Sequence, residues 1–169
     1  MKNIPTIFFI ILLSTNCAIK NPENISTSVT IIGRLDTSNL EFSEGIFYSA
    51  KINLTNNSNS VLNYWTMSCS WQSNWIPNNK SIQLFVSCPS NFPKIIQIEP
   101  FGTLSHHGII ELIDTTIIST KQDFKFGFVF VREKEVLDES NFIIILRNKI
   151  ETKKDIFWSN SFVINKKNH

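Results

Sequence analysis

Alternation of apolar and polar residues with a period of two recurs along this chain and restricts its fold more than any other feature. The segment 47–54 places Tyr, Ala, Ile and Leu on one face and Ser, Lys and Asn on the other. The segment 124–131 places phenylalanine at alternate positions. Because successive side chains of a β-strand point to opposite faces, both segments are predicted to be strands. Residues 124–131 carry apolar side chains on both faces, which favours a central strand covered on both sides over an exposed edge.

Further strands are predicted where short runs rich in β-branched residues alternate with polar turns. They comprise residues 28–34, 61–69, 81–88, 94–99, 109–113, 142–146 and 156–164. No stretch of ten or more residues shows helical periodicity, and the charged segment 132–140 is interpreted as a solvated loop with room for a helical turn. Many short strands joined by polar turns predict an all-β fold, an immunoglobulin-like β-sandwich of seven to nine antiparallel strands.

The N-terminus has the layout of an export signal. Met1 and Lys2 give a positive start, residues 7–13 form an apolar run, and a short polar stretch ending in Cys17 closes it. The run is too short to span a membrane as a mature helix. We therefore expect a signal at residues 1–17, a tether at 18–27 and a single globular domain at 28–169.

Cys17 itself has two interpretations. The segment 13–17 resembles the cleavage box of bacterial lipoproteins, in which the cysteine becomes the lipidated N-terminus. Asn16 stands where that box has Gly, Ala or Ser, and Leu13 lies one place further from the cysteine than the box requires. Lipidation would anchor the domain in the cell envelope, since each buried CH₂ of an acyl chain contributes about 0.8 kcal/mol. The alternative is ordinary cleavage near Cys17, which would release a secreted domain.

Two cysteines remain beyond Cys17, at positions 69 and 88. Nothing outside the cytoplasm keeps thiols reduced, so Cys69 and Cys88 are predicted to form a disulfide that stabilises the fold by about 3 kcal/mol. Both fall in phase with the apolar face of their predicted strands, and we therefore expect the bond to be buried. The rival interpretation, a metal site, lacks a CxxC spacing or a neighbouring histidine.

His106 and His107 form a conspicuous polar pair. A metal site would need Glu111 or Asp114 as further ligands, whereas an exposed turn between the flanking glycines accounts for the pair without any ligand. The second interpretation is favoured, and no metal or cofactor is expected. No GxSxG nucleophile elbow is present in the sequence. The protein is therefore predicted not to be an enzyme.

The charge of the chain argues against one class of partner. Its formal net charge is +2, and the lysines and arginines are scattered singly rather than gathered in a stripe. A nucleic-acid partner is therefore not expected. The expected partners are an unknown envelope protein or glycan, together with the membrane through the lipid anchor.

The segment 69–75 (CSWQSNW) is the most distinctive candidate for binding. In one interpretation Trp71 and Trp75 are core residues that cover the disulfide, as an aromatic does in immunoglobulin-type cores. In the other, one of them projects from a loop beside Gln72 and Asn74. An exposed aromatic flanked by amides can stack on a sugar ring or anchor a protein partner. The remaining tryptophans, at positions 65 and 158, are predicted to lie in the core.

Three stretches carry a family resemblance: residues 52–58 (INLTNNS), 64–71 (YWTMSCSW) and 158–160 (WSN). Together they resemble a group of small, uncharacterised bacterial lipoproteins with an immunoglobulin-like domain. The resemblance implies a sandwich fold and an envelope location, and it carries no catalytic residues. A fainter likeness, to small bacterial proteinase inhibitors of sandwich type, rests on the Asn-Ser turn and on residues 100–102 (PFG), which depart from the inhibitor pattern by one inserted residue.

These observations lead to one functional expectation and two alternatives. The leading expectation is a non-enzymatic, exported envelope lipoprotein that binds another macromolecule. The first alternative is a secreted proteinase inhibitor that uses the loop at residues 70–79 as its contact. The second is a carbohydrate-binding module that uses Trp71 or Trp75.

Overall fold

The computed structural model describes residues 24–36, 45–86, 88, 90–116 and 122–164. Over these residues the protein has eleven strands and one α-helix, and the prediction of an all-β, sandwich-like fold is confirmed. The expected signal, its Cys17 and residues 18–23 of the expected tether lie outside the described residues. Residues 25–27, also assigned to the tether, belong to the first strand instead.

The elements follow one another with short connections. The strands are β1 (Ile25–Arg34), β2 (Ile46–Asn56), β3 (Leu62–Met67), β4 (Trp75–Pro77), β5 (Ile82–Leu84), β6 (Pro93–Ile98), β7 (Thr103–Leu112), β8 (Asp123–Phe124), β9 (Phe126–Val129), β10 (Ile156–Trp158) and β11 (Phe162–Val163), and the helix is α1 (Phe142–Thr152). Short 3₁₀ turns occupy Trp71–Asn74, Glu133–Glu135 and Glu139–Asn141.

The eleven strands exceed the predicted seven to nine because two long strands are interrupted. β8 and β9 are separated by Lys125 alone, and residues 159–161 separate β10 from β11. β9 pairs with β10 while β8 pairs with β11, so each interrupted strand runs beside the other.

The sheets form two groups that share one core. The larger sheet has the order β1-β2-β7-β5, and the other strands form the sheets β10-β9-β4, β11-β8 and β3-β6. All described pairings are antiparallel. Ile52 and Ile110 of the larger sheet meet Phe128 and Tyr64 of the smaller ones in this main core. The packing is sandwich-like, as the alternation of apolar residues predicts.

Strand β9 is central and covered on both faces, which confirms the prediction for residues 124–131. It lies between β10 and β4. The side chains of Phe126 and Phe128 enter the main core, whereas Val129 and Val131 enter a second cluster with Phe142 of the helix. β3 adjoins this segment, because the Trp65 amide donates to Val131 O at 2.9 Å.

Helix α1 replaces the strand predicted at residues 142–146, and that prediction was wrong. Phe142, Leu146 and Lys149 are its buried residues, with the spacing of one helical face. The run of β-branched residues that indicated a strand includes Ile143 and Ile144, which are exposed. Because the third buried position is a lysine, the apolar pattern ended too early to reveal the helix. No helix among the described residues is long and apolar enough to cross a membrane.

The predicted strand at 109–113 begins earlier, at Thr103, and this moves the turn that precedes it. β7 pairs with β2 from Ile46↔Leu112 to Thr55↔Thr103, so His106 and His107 lie within the strand. The interpretation of the pair as an exposed turn was therefore wrong. The turn is instead at Phe101, whose φ is 57°.

Candidate functional site

The disulfide between Cys69 and Cys88 is present, with a Cα–Cα distance of 5.9 Å, as predicted. It joins the segment after β3 to the segment after β5. The expectation that it is buried was wrong, since Cys69 is exposed and Cys88 is only partly buried. Strand β3 ends at Met67, so the alternation that placed Cys69 in the interior does not extend to that residue.

The two tryptophans of the CSWQSNW segment differ in their surroundings. Trp75 belongs to the main core, with 6% of its surface exposed, and packs 5.2 Å from the Phe128 ring centroid. Trp71 is partly buried at the edge of this core and stacks on His106 with a centroid distance of 4.2 Å. The core interpretation is therefore right for Trp75, and Trp71 is engaged by a histidine rather than projecting alone.

The two amides of the same segment hold the backbone together. Asn74 is fully buried, and its Nδ2 donates to the carbonyl oxygens of Trp65 and Val129 at 3.0 Å each. Gln72 donates through Nε2 to Phe85 O at 3.4 Å. A joint surface site of Trp71, Gln72, Asn74 and Trp75 is contradicted by this burial. Because residues 71–77 form a 3₁₀ turn and strand β4, the expected contact loop at 70–79 is not a projecting loop.

The histidine pair cannot act together. Adjacent residues of a strand point to opposite faces, so His106 faces the core and His107 faces solvent. Burial, aided by the charge of Lys94, lowers the pKa of His106. In the part of the chain that the structure describes, no group of three His, Cys, Asp or Glu side chains could hold a metal ion.

The other two tryptophans, Trp65 and Trp158, also differ in burial. Trp65 is 8% exposed and packs beside Phe142, as a core residue should. Trp158 is 45% exposed, and its prediction as a core residue was wrong. It lies at the end of β10 opposite Gly127, and residues 159–161 then break the strand.

A partly buried group of charges lies beside the helix, where the sequence predicted only a solvated charged turn. We name Arg132, Glu135, Lys149 and Asp155 the ion cluster. Lys149 Nζ lies 2.6 Å from Glu135 Oε2 and 2.7 Å from Asp155 Oδ2, and it also donates to Phe130 O at 2.8 Å. Arg132 Nη1 contacts Asp155 Oδ2 at 2.9 Å and Glu135 Oε1 at 3.3 Å.

The ion cluster shifts the pKa values of its carboxyls without leaving a reactive group. Partial burial alone would raise the pKa of Asp155, but hydrogen bonds and charges from Arg132 and Lys149 outweigh it and lower the pKa to about 2. The same balance lowers the pKa of Glu135. Lys149 uses three ammonium donors in three hydrogen bonds, so it has none to spare for a substrate. The arrangement fastens the helix to the chain just after β9.

An open groove of about 950 Å³ lies at the end of the sandwich where the described chain begins. We name it the asparagine groove. Seven of its fourteen lining residues carry an amide or a hydroxyl, and the lining comprises Asn24, residues 56–63, Phe101, Phe130 and residues 132–134. Arg132 belongs to both the groove and the ion cluster, and its guanidinium carbon lies 5.3 Å from the centroid of the Phe130 ring.

Asn56 fixes the shape of the groove. It is 1% exposed, and its Nδ2 lies 2.7 Å from Ser60 O, 3.2 Å from Ile98 O and 3.1 Å from Glu99 O. Its Oδ1 accepts hydrogen bonds from the backbone amide and the hydroxyl of Ser58. A single buried amide therefore ties the turn after β2 to the turn after β6.

Phe101 projects from the second of these turns. It is 69% exposed and has a φ of 57°, in the left-handed region that L-residues with a large side chain avoid. Its amide donates to Ser58 O at 3.2 Å, and the Gly102 amide donates to Glu99 O at 2.9 Å. The chain thus holds a large apolar ring in solvent on a backbone that costs about 1 kcal/mol or more.

The sequence contained the parts of this groove but not their proximity. The run at 56–60 and the segment at 100–102 stand about forty residues apart in the sequence. Only the pairing of β2 with β7 brings them together, through the Asn56 amide donating to Gly102 O at 2.9 Å.

Comparison with known proteins places few limits on this site. No family model matches the chain. No curated protein matches it either. Among solved structures, it is similar to the crystal structure of a FixG-related protein from Vibrio parahaemolyticus at 9% sequence identity, with a TM-score of 0.39, over 82% of this chain and 94% of that one.

Proposed function

We propose that this protein is a non-enzymatic, exported envelope lipoprotein that binds another macromolecule through the asparagine groove. The observation that carries the proposal is Phe101. A strained backbone persists only when its surroundings over-determine it, and such sites concentrate where a function needs them. Here the hydrogen bonds of Asn56 to Ile98 O and Glu99 O hold the turn that carries Phe101, a residue that is 69% exposed.

The export signal and the disulfide support the compartment in this proposal. The Cys69–Cys88 bond is of the kind found in oxidising compartments. Six residues separate Cys17 from Asn24, which lines the groove. If Cys17 carries the acyl chains, Asn24 lies within about 25 Å of the anchor, because an extended chain spans at most about 3.5 Å per residue. The groove would then work close to the membrane surface.

The relationship to immunoglobulin-like lipoproteins is part of the same proposal. It is supported by the antiparallel, sandwich-like packing, in which Trp75 lies in the core. The proteinase-inhibitor alternative gains no support, because its contact loop at 70–79 is folded into a turn and strand. The sugar-binding alternative through Trp75 is likewise weakened by the burial of that residue.

Photo-crosslinking tests the proposal at single-residue resolution. Position 101 would carry a photoreactive phenylalanine analogue in the lipidated protein, in cells. Phe92 provides the matched control, because it is also an exposed phenylalanine, at 59%. We expect a distinct crosslinked species from position 101 that position 92 does not give. Identical patterns from the two positions would overturn the proposal.

The anchor is tested separately by the intact mass of the mature protein without reduction. We expect a chain that begins at Cys17, carries added acyl groups and is short by two hydrogens for the disulfide. An unlipidated chain that begins after Cys17 would contradict the lipoprotein assignment and leave a secreted binding domain.

A further inference from the structure

We infer that the asparagine groove takes a neutral oligosaccharide, with the ring of Phe101 as the platform on which one sugar residue stacks. The inference rests on the proposed function, since it names the ligand class of the same site. It concerns a different surface from Trp71 and Trp75, the residues that the sequence indicated for sugar binding. Its grounds are the chemistry of the lining, the order of the groove and the poor fit of other ligand classes.

The lining matches the chemistry of a sugar hydroxyl. Each hydroxyl is both a donor and an acceptor, and so is each asparagine amide and each serine hydroxyl. Asn57, Asn59 and Asn63 contribute amides to the groove, and Ser58 and Ser60 contribute hydroxyls. The sugar ring also has an apolar face, which an exposed aromatic ring can cover. Phe101 supplies that surface at the margin of the groove.

The groove is ordered in advance of binding. Asn24 Nδ2 donates to Asn57 O at 3.0 Å, and the Asn57 amide donates to Asn24 O at 2.7 Å. Asn57 Nδ2 in turn donates to Ser26 Oγ at 3.0 Å. Such crosslinks between β1 and the turn reduce the entropy that a weak polar ligand must overcome on binding. The volume also lies within the range of about 300–1,000 Å³ typical of small-ligand sites.

The charges of the groove do not favour an anionic ligand. Arg132 is engaged by Asp155 and Glu135, and the Glu133 carboxylate accepts a hydrogen bond from Asn63 at 2.8 Å. Lys134 is the further cation of the lining. An acidic peptide or a phosphorylated ligand would call for a larger excess of positive charge. A neutral ligand is more compatible with this distribution of charges in the lining.

An extended peptide does not fit the groove well either. A peptide strand binds by adding to an unpaired strand edge. Two strands reach the groove, β2 at its last residue and β3, and β2 lies between β1 and β7. Both edges of β3 are also occupied. β6 pairs with it on one side, and on the other Tyr64 bridges to Arg132. The remaining lining comes from turns, which offer no continuous ladder of backbone groups.

The inference is tested by titrating the full mature ¹⁵N-labelled protein in detergent with cellotetraose, maltotetraose and chitotetraose. We expect at least one of them to shift the amide resonances of residues 57–63 and 101 in a saturable manner. Phe101→Ala should weaken that sugar about tenfold by removing the platform, whereas Phe101→Tyr should bind as the parent does. Phe92→Ala, which removes an equally exposed ring elsewhere, should leave the affinity unchanged.

Three results would overturn the inference. The first is that none of the three sugars shifts these resonances. The second is that binding shifts another surface, and the third is that Phe101→Ala binds as tightly as the parent. A protein crosslinked from position 101 in the absence of sugar binding would refute the oligosaccharide while leaving the proposed function intact. A lack of any crosslink at position 101 would refute the proposed function itself.

Discussion

The ion cluster and the asparagine groove are two polar sites among the described residues, and they differ in how many of their polar groups remain accessible to a ligand. In the ion cluster, Lys149 is 5% exposed and is satisfied by two carboxylates and a backbone carbonyl. In the groove, Asn56 is equally well satisfied, but it holds together turns whose other side chains face solvent. The charged groups of the ion cluster are therefore satisfied by one another and by the backbone. The side chains of the groove remain accessible from solvent.

This difference shows that a shifted pKa does not by itself identify a functional site. Asp155 has the most depressed described carboxyl pKa, at about 2, yet its partners account for the whole shift. Structural ion-pair networks perturb pKa values as strongly as active sites do. The groove is recognised instead by an exposed ring at the third position of the turn 99–102, where the left-handed backbone is unfavourable for a large side chain. The four tests below act on one site at a time.

The largest effect is expected from Lys149→Met, which leaves Glu135 and Asp155 with a single cationic partner. Removing one member of a buried ion pair strands the other charges, and we expect the free energy of unfolding to fall by about 3 kcal/mol. Urea denaturation followed by circular dichroism measures this. Lys154→Met, at an exposed position, is the control and should change stability little. Equal losses in the two variants would show that the ion cluster contributes nothing.

Asn56→Ala should act on the other site with the next largest effect. It removes the amide that serves three carbonyl oxygens and accepts from Ser58, so buried polar groups lose their partners. We expect a loss of about 2 kcal/mol in the free energy of unfolding. Asn59→Ala, at an exposed position of the same turn, is the matched control. A loss of stability in Asn59→Ala as large as in Asn56→Ala would refute the role of Asn56.

The ion cluster should make stability fall in acid. The pKa of Asp155 is lower in the folded protein than its ordinary 3.8, so its contribution is complete above about pH 4 and is lost as the pH falls through about 2. With solvent screening of this partly exposed carboxyl, the loss should be about 1–2 kcal/mol. Urea midpoints between pH 5 and pH 2 would show it. In Lys149→Met the dependence should be shallower, and an unaltered slope would contradict the assignment.

The sequence allowed the apolar architecture to be predicted better than the polar sites. Phe126 and Phe128 enter the main core because alternation alone determines which face of a strand they occupy. Helix α1 was missed because one of its three buried positions is Lys149, whose burial depends on ion pairs with Glu135 and Asp155, which lie outside the helix. The groove was missed because the turn that carries Phe101 meets Asn56 only in the folded chain.

Phe101→Gly gives the smallest change in stability and the most informative one. Glycine adopts a φ of 57° without strain, and the lost ring is largely exposed. We expect the free energy of unfolding to be unchanged or raised by up to about 1 kcal/mol. If the Phe101 ring stabilised the fold by packing, its removal would instead lower the free energy of unfolding. Phe92→Gly, which removes an exposed ring from another loop, provides the comparison.

The most direct test of the account combines this variant with a readout of binding. A photoreactive side chain at position 59, on the rim of the groove, would report occupancy in cells with and without Phe101→Gly. We expect Phe101→Gly to be at least as stable as the parent and to lose the crosslinked species. A variant that keeps the crosslink, or one that unfolds more easily than the parent, would contradict the claim that Phe101 is held in solvent for binding.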